Sequence, residues 1–311
     1  MIRKEIKLSL PDKKRFEIIQ KTLITWYKKN RREFSWRKKI RDPYEVMVCE
    51  IMGQQTQASR IEQFLPRFLK KFPTIQSLAS AKKSDVIRQW QGLGYNRRAL
   101  NMQKAAIELS NKPFPKTESE LLALPGIGPY TARAILIFSY NKSIPTVDVN
   151  IERVISRLYS RMPDTNTMLA KKDILSIAEV IIPIRQSRLW HEALMDFGAT
   201  ICTKRNPKCS ECPLFDNCKS GKTLILKDTV STPKKLSSEP KYFGQPKRIW
   251  RGKVLKLISV GKGLTEAFII KQLIYSEKKS EFVPFIHAVL QDLVKEGFCT
   301  LSPGKSYYLH D

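Results

Sequence analysis

Histidine is scarce in this chain of 311 residues: His191, His287 and His310 are all it carries. So few imidazoles argue against a multi-histidine metal centre and against chemistry built on a histidine base. Cysteine is nearly as rare, six in all, and four of the six fall between Cys202 and Cys218. In an intracellular chain such crowding points to a metal or cluster site rather than to disulfides. No apolar run approaches the ~18–20 residues of a membrane span. The opening MIRKEIKLSLPDKKRF places charges where an export signal needs its apolar stretch. The chain shows no repeat of solenoid length. Acidic residues are outnumbered, 29 against 56 Lys and Arg, for a formal net charge of +27. Hydrophobic residues make up 42%, enough for a core, so the charge is not a mark of wholesale disorder. A soluble, cytoplasmic protein is expected, with a polyanion as its partner: nucleic acid first, an anionic membrane surface second.

The first two hundred residues read as almost entirely helical. Phe16, Ile19, Leu23 and Trp26 recur at helical spacing within 14–29. Asp42-Pro43 supplies an N-cap followed by proline at the first helical position, opening a helix over 44–53. Amphipathic segments follow at 58–72, 84–91, 95–110 and 118–124, punctuated by Gly92, Gly94, Pro113 and Pro115. Further helices begin after Gly128 and near Asp148, Leu169 and Ser187. These elements divide the chain into a mainly α core over 1–222, a Ser-, Pro- and Lys-rich linker over 223–241, and a small basic module over 242–311. Three helical segments and a candidate hairpin (298–301 with 306–309) give that module a winged-helix-like pattern.

Four motifs carry chemistry. In Leu124-Pro125-Gly126-Ile127-Gly128-Pro129-Tyr130-Thr131-Ala132 one helix ends and another begins across two glycines. Such a turn aims backbone N–H groups at an anion, the pattern of a helix-hairpin-helix that grips a DNA phosphate without reading sequence. Gly126, Gly128, Tyr130 and Thr131 are its candidate contacts. Twenty residues on, Asp148 stands at a helix start. It is either a simple N-cap or a carboxylate facing the sugar of a bound nucleotide, and spacing does not choose between them. Glu50 is a charge inside the apolar Val48-Cys49-Glu50-Ile51-Met52. Either it is a partly exposed face residue, or burial lifts it toward general-acid range. The amides Gln54, Gln55 and Gln57 at that helix's end suit base edges or simply solvent. Finally, Cys202-x6-Cys209-x2-Cys212-x5-Cys218 puts four thiolates on one compact loop. Most simple zinc sites draw on two separated pairs, so the loop favours a 4Fe–4S cluster over zinc.

Together these residues resemble the endonuclease III superfamily of helix-hairpin-helix DNA glycosylases. Trp36-Arg37, Arg41-Asp42-Pro43-Tyr44, Glu50-Ile51-Met52, Gln54-Gln55-Thr56-Gln57, Gly92-Leu93-Gly94-Tyr95 and the run 192–199 look most like MutY-type adenine glycosylases. The resemblance implies a two-lobed helical fold, a 4Fe–4S cluster, and a monomer acting on double-stranded DNA that carries a mispaired or damaged base. Adenine opposite 8-oxoguanine or guanine would be flipped out and its N-glycosidic bond hydrolysed. Glu50 would protonate the adenine and then help activate water, and Asp148 would stabilise the cationic sugar. Tyr130 and Asn150 would support Asp148. Trp36, Arg37 and Glu192 match adenine-pocket positions. Gln55 and Tyr95, with Leu93 of the same loop, match substrate-binding positions that wedge into the stack beside the opposite base. Strand-cutting relatives carry lysine where this chain has Tyr130, so no Schiff base is expected. The chain departs from the family pattern at Gly53, Asn96, Val149 and Trp190-His191. Typical members end in a Nudix-like β-rich domain, whereas residues 242–311 are shorter and more helical. A mismatch thymine or uracil glycosylase, or a DNA-binding protein that has lost catalysis, are the alternatives on the same scaffold.

Overall fold

Apolar residues at helical spacing and few β-branched runs yield fifteen α-helices among the described residues of a computed structural model. These residues are 10–37, 42–161, 168–226, 239–261, 263–273 and 279–311. The helices are α1 (Leu10–Asn30), α2 (Pro43–Gly53), α3 (Ala58–Lys71), α4 (Ile75–Ala79), α5 (Lys83–Trp90), α6 (Arg97–Leu109), α7 (Glu118–Leu122), α8 (Pro129–Tyr140), α9 (Val149–Tyr159), α10 (Lys171–Ile181), α11 (Ser187–Thr200), α12 (Gly221–Leu226), α13 (Lys247–Val260), α14 (Glu266–Leu273) and α15 (Lys279–Lys295). Among the described residues, strands occur only from Lys241 onward: β1 (Lys241–Tyr242), β2 (Gln245–Pro246), β3 (Leu264–Thr265), β4 (Cys299–Leu301) and β5 (Ser306–Leu309). Most expected helices stand within two residues of their predicted ends; α4, α12, β1, β2 and β3 were not foreseen. Arg41 of the Arg-Asp-Pro-Tyr motif and residues 227–238 of the expected linker lie outside the described residues.

The chain divides into two compact units. One comprises residues 1–46, 116–122 and 127–234. Its core gathers the apolar stripe of α1 (Ile19, Leu23, Ile24) against α9 (Ile151, Val154, Ile155, Leu158) and α11 (Trp190, Leu194, Phe197). Trp26 meets Phe197 edge-on at 5.3 Å. The cysteine loop closes onto this core through buried Leu214, and α12 occupies the start of the span read as a linker.

The other unit comprises residues 47–115, 123–126 and 235–311. Its C-terminal part has the winged-helix pattern: α13, α14 and α15, then β4 and β5 in an antiparallel sheet ordered β3-β5-β4. This module shares a core with the helices before it, for Ile87 of α5 and Leu100 of α6 are buried with Trp250, Val254, Ile258, Phe282 and Leu290. Arg88 Nε donates to Ser259 O at 3.1 Å, and Arg97 pairs with Glu296 at 3.2 Å.

Candidate active site and iron–sulfur loop

The hairpin is built as the sequence predicts. Gly126 adopts φ +80°, and a Cβ there would stand 2.8 Å from Cβ of Asn101. No other residue fits that turn without strain. Gly128 caps α8 with Pro129 in its first turn, an N-terminus suited to an anion. Tyr130 is half-buried. Thr131 is only 3% exposed, so its side chain belongs to the core.

Asp148 is the N-cap of α9. Its Oδ1 accepts from the amides of Asn150 at 2.9 Å and Ile151 at 2.8 Å, and its Oδ2 accepts from Asn150 Nδ2 at 3.0 Å. Capping leaves the residue half-exposed, so the cap does not bury the carboxylate away from a ligand. The carboxamide of Asn150 faces both ways. Its Oδ1 accepts from Arg153 Nη2 at 2.8 Å, and Arg153 also donates to the carbonyls of Gly198 and Cys202. A continuous hydrogen-bonded path thus runs from Asp148 to the first cysteine of the loop. No sequence spacing announced Arg153.

Cys202, Cys209, Cys212 and Cys218 line one shared cavity with Val154, Arg157 and Leu158. Burial pushes Cys212 up to about 12 and Cys218 up to about 11. Four thiolates in such a place need cationic charge among them. All four cysteines line the same space. That arrangement fits a group with sulfurs spread around a multi-iron core better than one tetrahedral ion. Buried Arg157 braces the loop, donating to Thr203 O at 2.7 Å and Lys204 O at 3.1 Å with Cys202 Sγ at 3.4 Å.

Near the start of α11, Glu192 is 8% exposed and accepts from Tyr27 Oη at 2.7 Å. Burial and the Glu192 carboxylate raise the Tyr27 hydroxyl far above its usual range, so it stays a donor. Arg37 is held by Asp196 at 2.6 and 2.9 Å and lies over Phe34. Its first role is thus to neutralise a fully buried carboxylate, with Arg32 as second partner. Trp36 stacks on Phe34 at 4.4 Å. Tyr27 belongs to no motif, and Asp196 stood inside the run 192–199 with no role assigned to it.

His191 accepts from Thr146 N through Nε2 at 3.3 Å and meets Ser187 O through Nδ1 at 2.7 Å. It thereby fixes the segment leading into Asp148 as a neutral ring, since burial pushes its pKa down to about 4. The folded state binds the proton less well than the unfolded chain, whose histidine titrates near 6.5. This stability is therefore complete above about pH 6.5 and declines as pH falls toward 4, by roughly 3 kcal/mol. Urea unfolding at pH 7 and pH 4.5 should show that loss, and His191→Asn should flatten it. Equal pH slopes for the two proteins would refute the assignment.

In the other unit, Glu50 sits half-buried on α2 between buried Cys49 and Ile51. Gln55 and Tyr95 both carry positive φ, +57° and +46°, a conformation that non-glycine residues hold at a cost and that clusters at functional positions. Both are exposed, Tyr95 at 49%. Leu93 is only 6% exposed and packs inward, so the loop presents Tyr95 rather than Leu93. Arg98 ties the two strained loops together. Its guanidinium donates to Ile51 O and Met52 O at 3.0 Å, Gly94 O at 3.1 Å and Leu93 O at 3.3 Å, and also to Gln54 O. Burial lowers it to about 10, which leaves it charged at neutral pH.

Comparison with known proteins places this geometry. Residues 48–179 match the model of the HhH-GPD superfamily of base excision DNA repair proteins. Residues 202–218 match the iron–sulfur binding domain of endonuclease III. An adenine DNA glycosylase of Mycolicibacterium smegmatis is 34% identical over 239 residues, covering 76% of this chain and 78% of the relative. The chain belongs to the adenine DNA glycosylase family. A second member, from Buchnera aphidicola subsp. Baizongia pistaciae, is 39% identical, covering 65% of this chain but 58% of its own length. Among solved structures, a thermostable thymine-DNA glycosylase superposes with TM-score 0.62 at 29% identity, covering 68% of this chain and 98% of that one.

In this adenine glycosylase family member the four cysteines hold one 4Fe–4S cluster. When bound, the cluster supplies the iron charge that keeps four thiolates deprotonated and pins the loop. The chain's own residues do the remaining work. Arg157 and Arg153 fasten the loop to α9, and Asn150 transmits that anchoring to the carboxylate of Asp148. Glu50 belongs to one unit and Asp148 to the other. Among the described residues no helix is long and apolar enough to cross a membrane.

Proposed function

We propose that this chain, a base excision repair glycosylase, removes adenine from mispairs with 8-oxoguanine or guanine by hydrolysis, without cutting the strand. Asp148 carries this reading. A half-exposed carboxylate fixed by two backbone amides and Asn150 is the anion that a cationic sugar needs once its base begins to leave. Adenine departs poorly until protonated, and Glu50, half-buried on α2, is the donor in this reading. Gln55 and Tyr95 enter the stack as the base leaves it, and the neighbourhood of Trp36 and Glu192 receives the adenine. The hairpin at Gly126–Thr131 grips a phosphate on the way. The protein works as a monomer in the compartment that holds the chromosome, with its positive charge supplying backbone affinity.

The structural likeness to a thymine-DNA glycosylase makes mismatched thymine the competing substrate. Duplexes carrying A opposite 8-oxoguanine, A opposite G, T opposite G and U opposite G, each treated with alkali, separate the two. Cleavage at the adenine duplexes is expected; cleavage confined to pyrimidines would transfer the activity to the competitor, and none anywhere would make this a binding protein. Because Tyr130 cannot form an imine, borohydride should trap no enzyme–DNA adduct. Efficient trapping would overturn the monofunctional assignment.

A further inference from the structure

The exposed face of α13 and the two strained loops wall a single groove of about 800 Å³. Gln54, Gln55 and Gly92–Tyr95 form one side, and Arg248, Ile249, Gly252, Lys253 and Lys256 the other. The charge of the lining is one-sided: Arg97, Arg98, Arg248, Arg251, Lys253 and Lys256 face a lone carboxylate, Glu296. Glu296 is already shared by Arg97 at 3.2 Å and Arg251 at 2.8 Å. Arg248 has Glu239 at 2.8 Å as a surface partner, and Asp292 lies 3.8 Å from Arg251. The cationic excess survives those pairings.

Two details are not explained by folding. Gly252 stands inside α13, where glycine costs roughly 0.5–1 kcal/mol against alanine. An added Cβ there would meet nothing within 4 Å, so protein packing does not demand it. The buried amide nitrogen of Gln91, which lines the same groove, has no hydrogen-bond partner among the described residues. A bare helix flank and a row of cations suit a phosphate–sugar backbone lying against the helix.

We propose that this groove holds the DNA strand opposite the excised base, with α13 of the C-terminal module binding its phosphates next to Gln55 and Tyr95. The choice of strand rests on the reading given above, in which those two residues meet the opposite base. The module then does more than stabilise the fold: it completes the part of the site that faces the partner base. An acidic protein segment is the other class of occupant the charge would accept. The groove's continuity with the two loops, which bind base steps in that reading, favours DNA.

The test uses the full chain with its cluster and duplexes bearing each of the four mispairs. In an Arg248→Ala/Lys256→Ala double variant, the slope of log Kd against log salt should fall by about 2, one per phosphate lost. Lys271→Ala, on the exposed face of α14 away from the groove, should leave the slope unchanged. Gly252→Leu should raise Kd about tenfold while its melting temperature stays level or rises, since leucine is the better helix former. Hydroxyl-radical footprints of the double variant should lose protection on the strand opposite whichever base the alkali assay shows to be removed. An unchanged slope, wild-type affinity in Gly252→Leu, or footprint losses confined to the excised strand would each overturn the proposal. So would wild-type DNA binding by the double variant together with loss of polyglutamate binding that the parent shows. Should no adenine be excised while the slope and footprint behave as stated, the base assignment fails and the groove stands.

Discussion

Asp148→Asn should reduce single-turnover excision on the order of 10³-fold while duplex affinity stays within a few fold. The substitution isolates charge from structure. Asparagine caps a helix about as well as aspartate, so the bonds from the amides of Asn150 and Ile151 persist and α9 keeps its start. What disappears is the negative charge beside the sugar. Glu50→Gln makes the matching test for the proton: its helix remains intact within the apolar stretch of α2, but no acid is left to activate the leaving base, and a loss of about 10²–10⁴-fold is expected. Rapid-quench kinetics with anisotropy on an uncleaved duplex measures both quantities. Full activity in Asp148→Asn would reduce that residue to a cap, and full activity in Glu50→Gln would remove it from the chemistry.

The second large effect belongs to a residue that no motif contains. Arg98 is a single planar fork serving carbonyls from two loops, packed beside the rings of Trp90 and Tyr95 at 5.2 and 5.6 Å. Arg98→Met fills similar volume and strands those acceptors. A cost on the order of 3 kcal/mol is expected, or roughly 6–12 °C in melting temperature for a domain of this size. Function should suffer beyond stability. Gln55 and Tyr95 hold positive φ only because their surroundings over-determine it, and without the guanidinium they relax to ordinary backbone. Excision at a temperature where the variant is fully folded should therefore fall, whereas binding, which rests on phosphate contacts, should fall less. Lysine offers a point charge and cannot span the set, so Arg98→Lys should rescue little. A methionine variant with wild-type melting and excision would refute the role.

Much of the architecture was legible because its signals are local. The spacing of Phe16, Ile19 and Leu23, the Asp42-Pro43 cap, and the glycines of the hairpin each act within a few residues, and the structure honours them. The cysteine loop is local too, with all four ligands inside one short segment. Long-range pairing leaves no such trace. Tyr27 looks like any aromatic on an amphipathic helix until the fold sets Glu192 against it across 165 residues. Nothing local marks Arg153 and Arg157 of α9, yet they are buried because the cysteine loop returns over them and supplies carbonyls.

Thus the chain by itself determined most of its helices, its glycine turn, its cysteine loop and its positive charge, all of which follow from neighbours in sequence or from composition. Tertiary structure alone decided that the basic tail shares a core with Ile87 and Leu100 and that Arg98 locks two strained loops. It also decided that Asp148 is anchored through Asn150 to the cysteine loop. Those outcomes depend on which distant backbone carbonyls and apolar faces meet, and only burying them together removes the water that would otherwise satisfy each one separately.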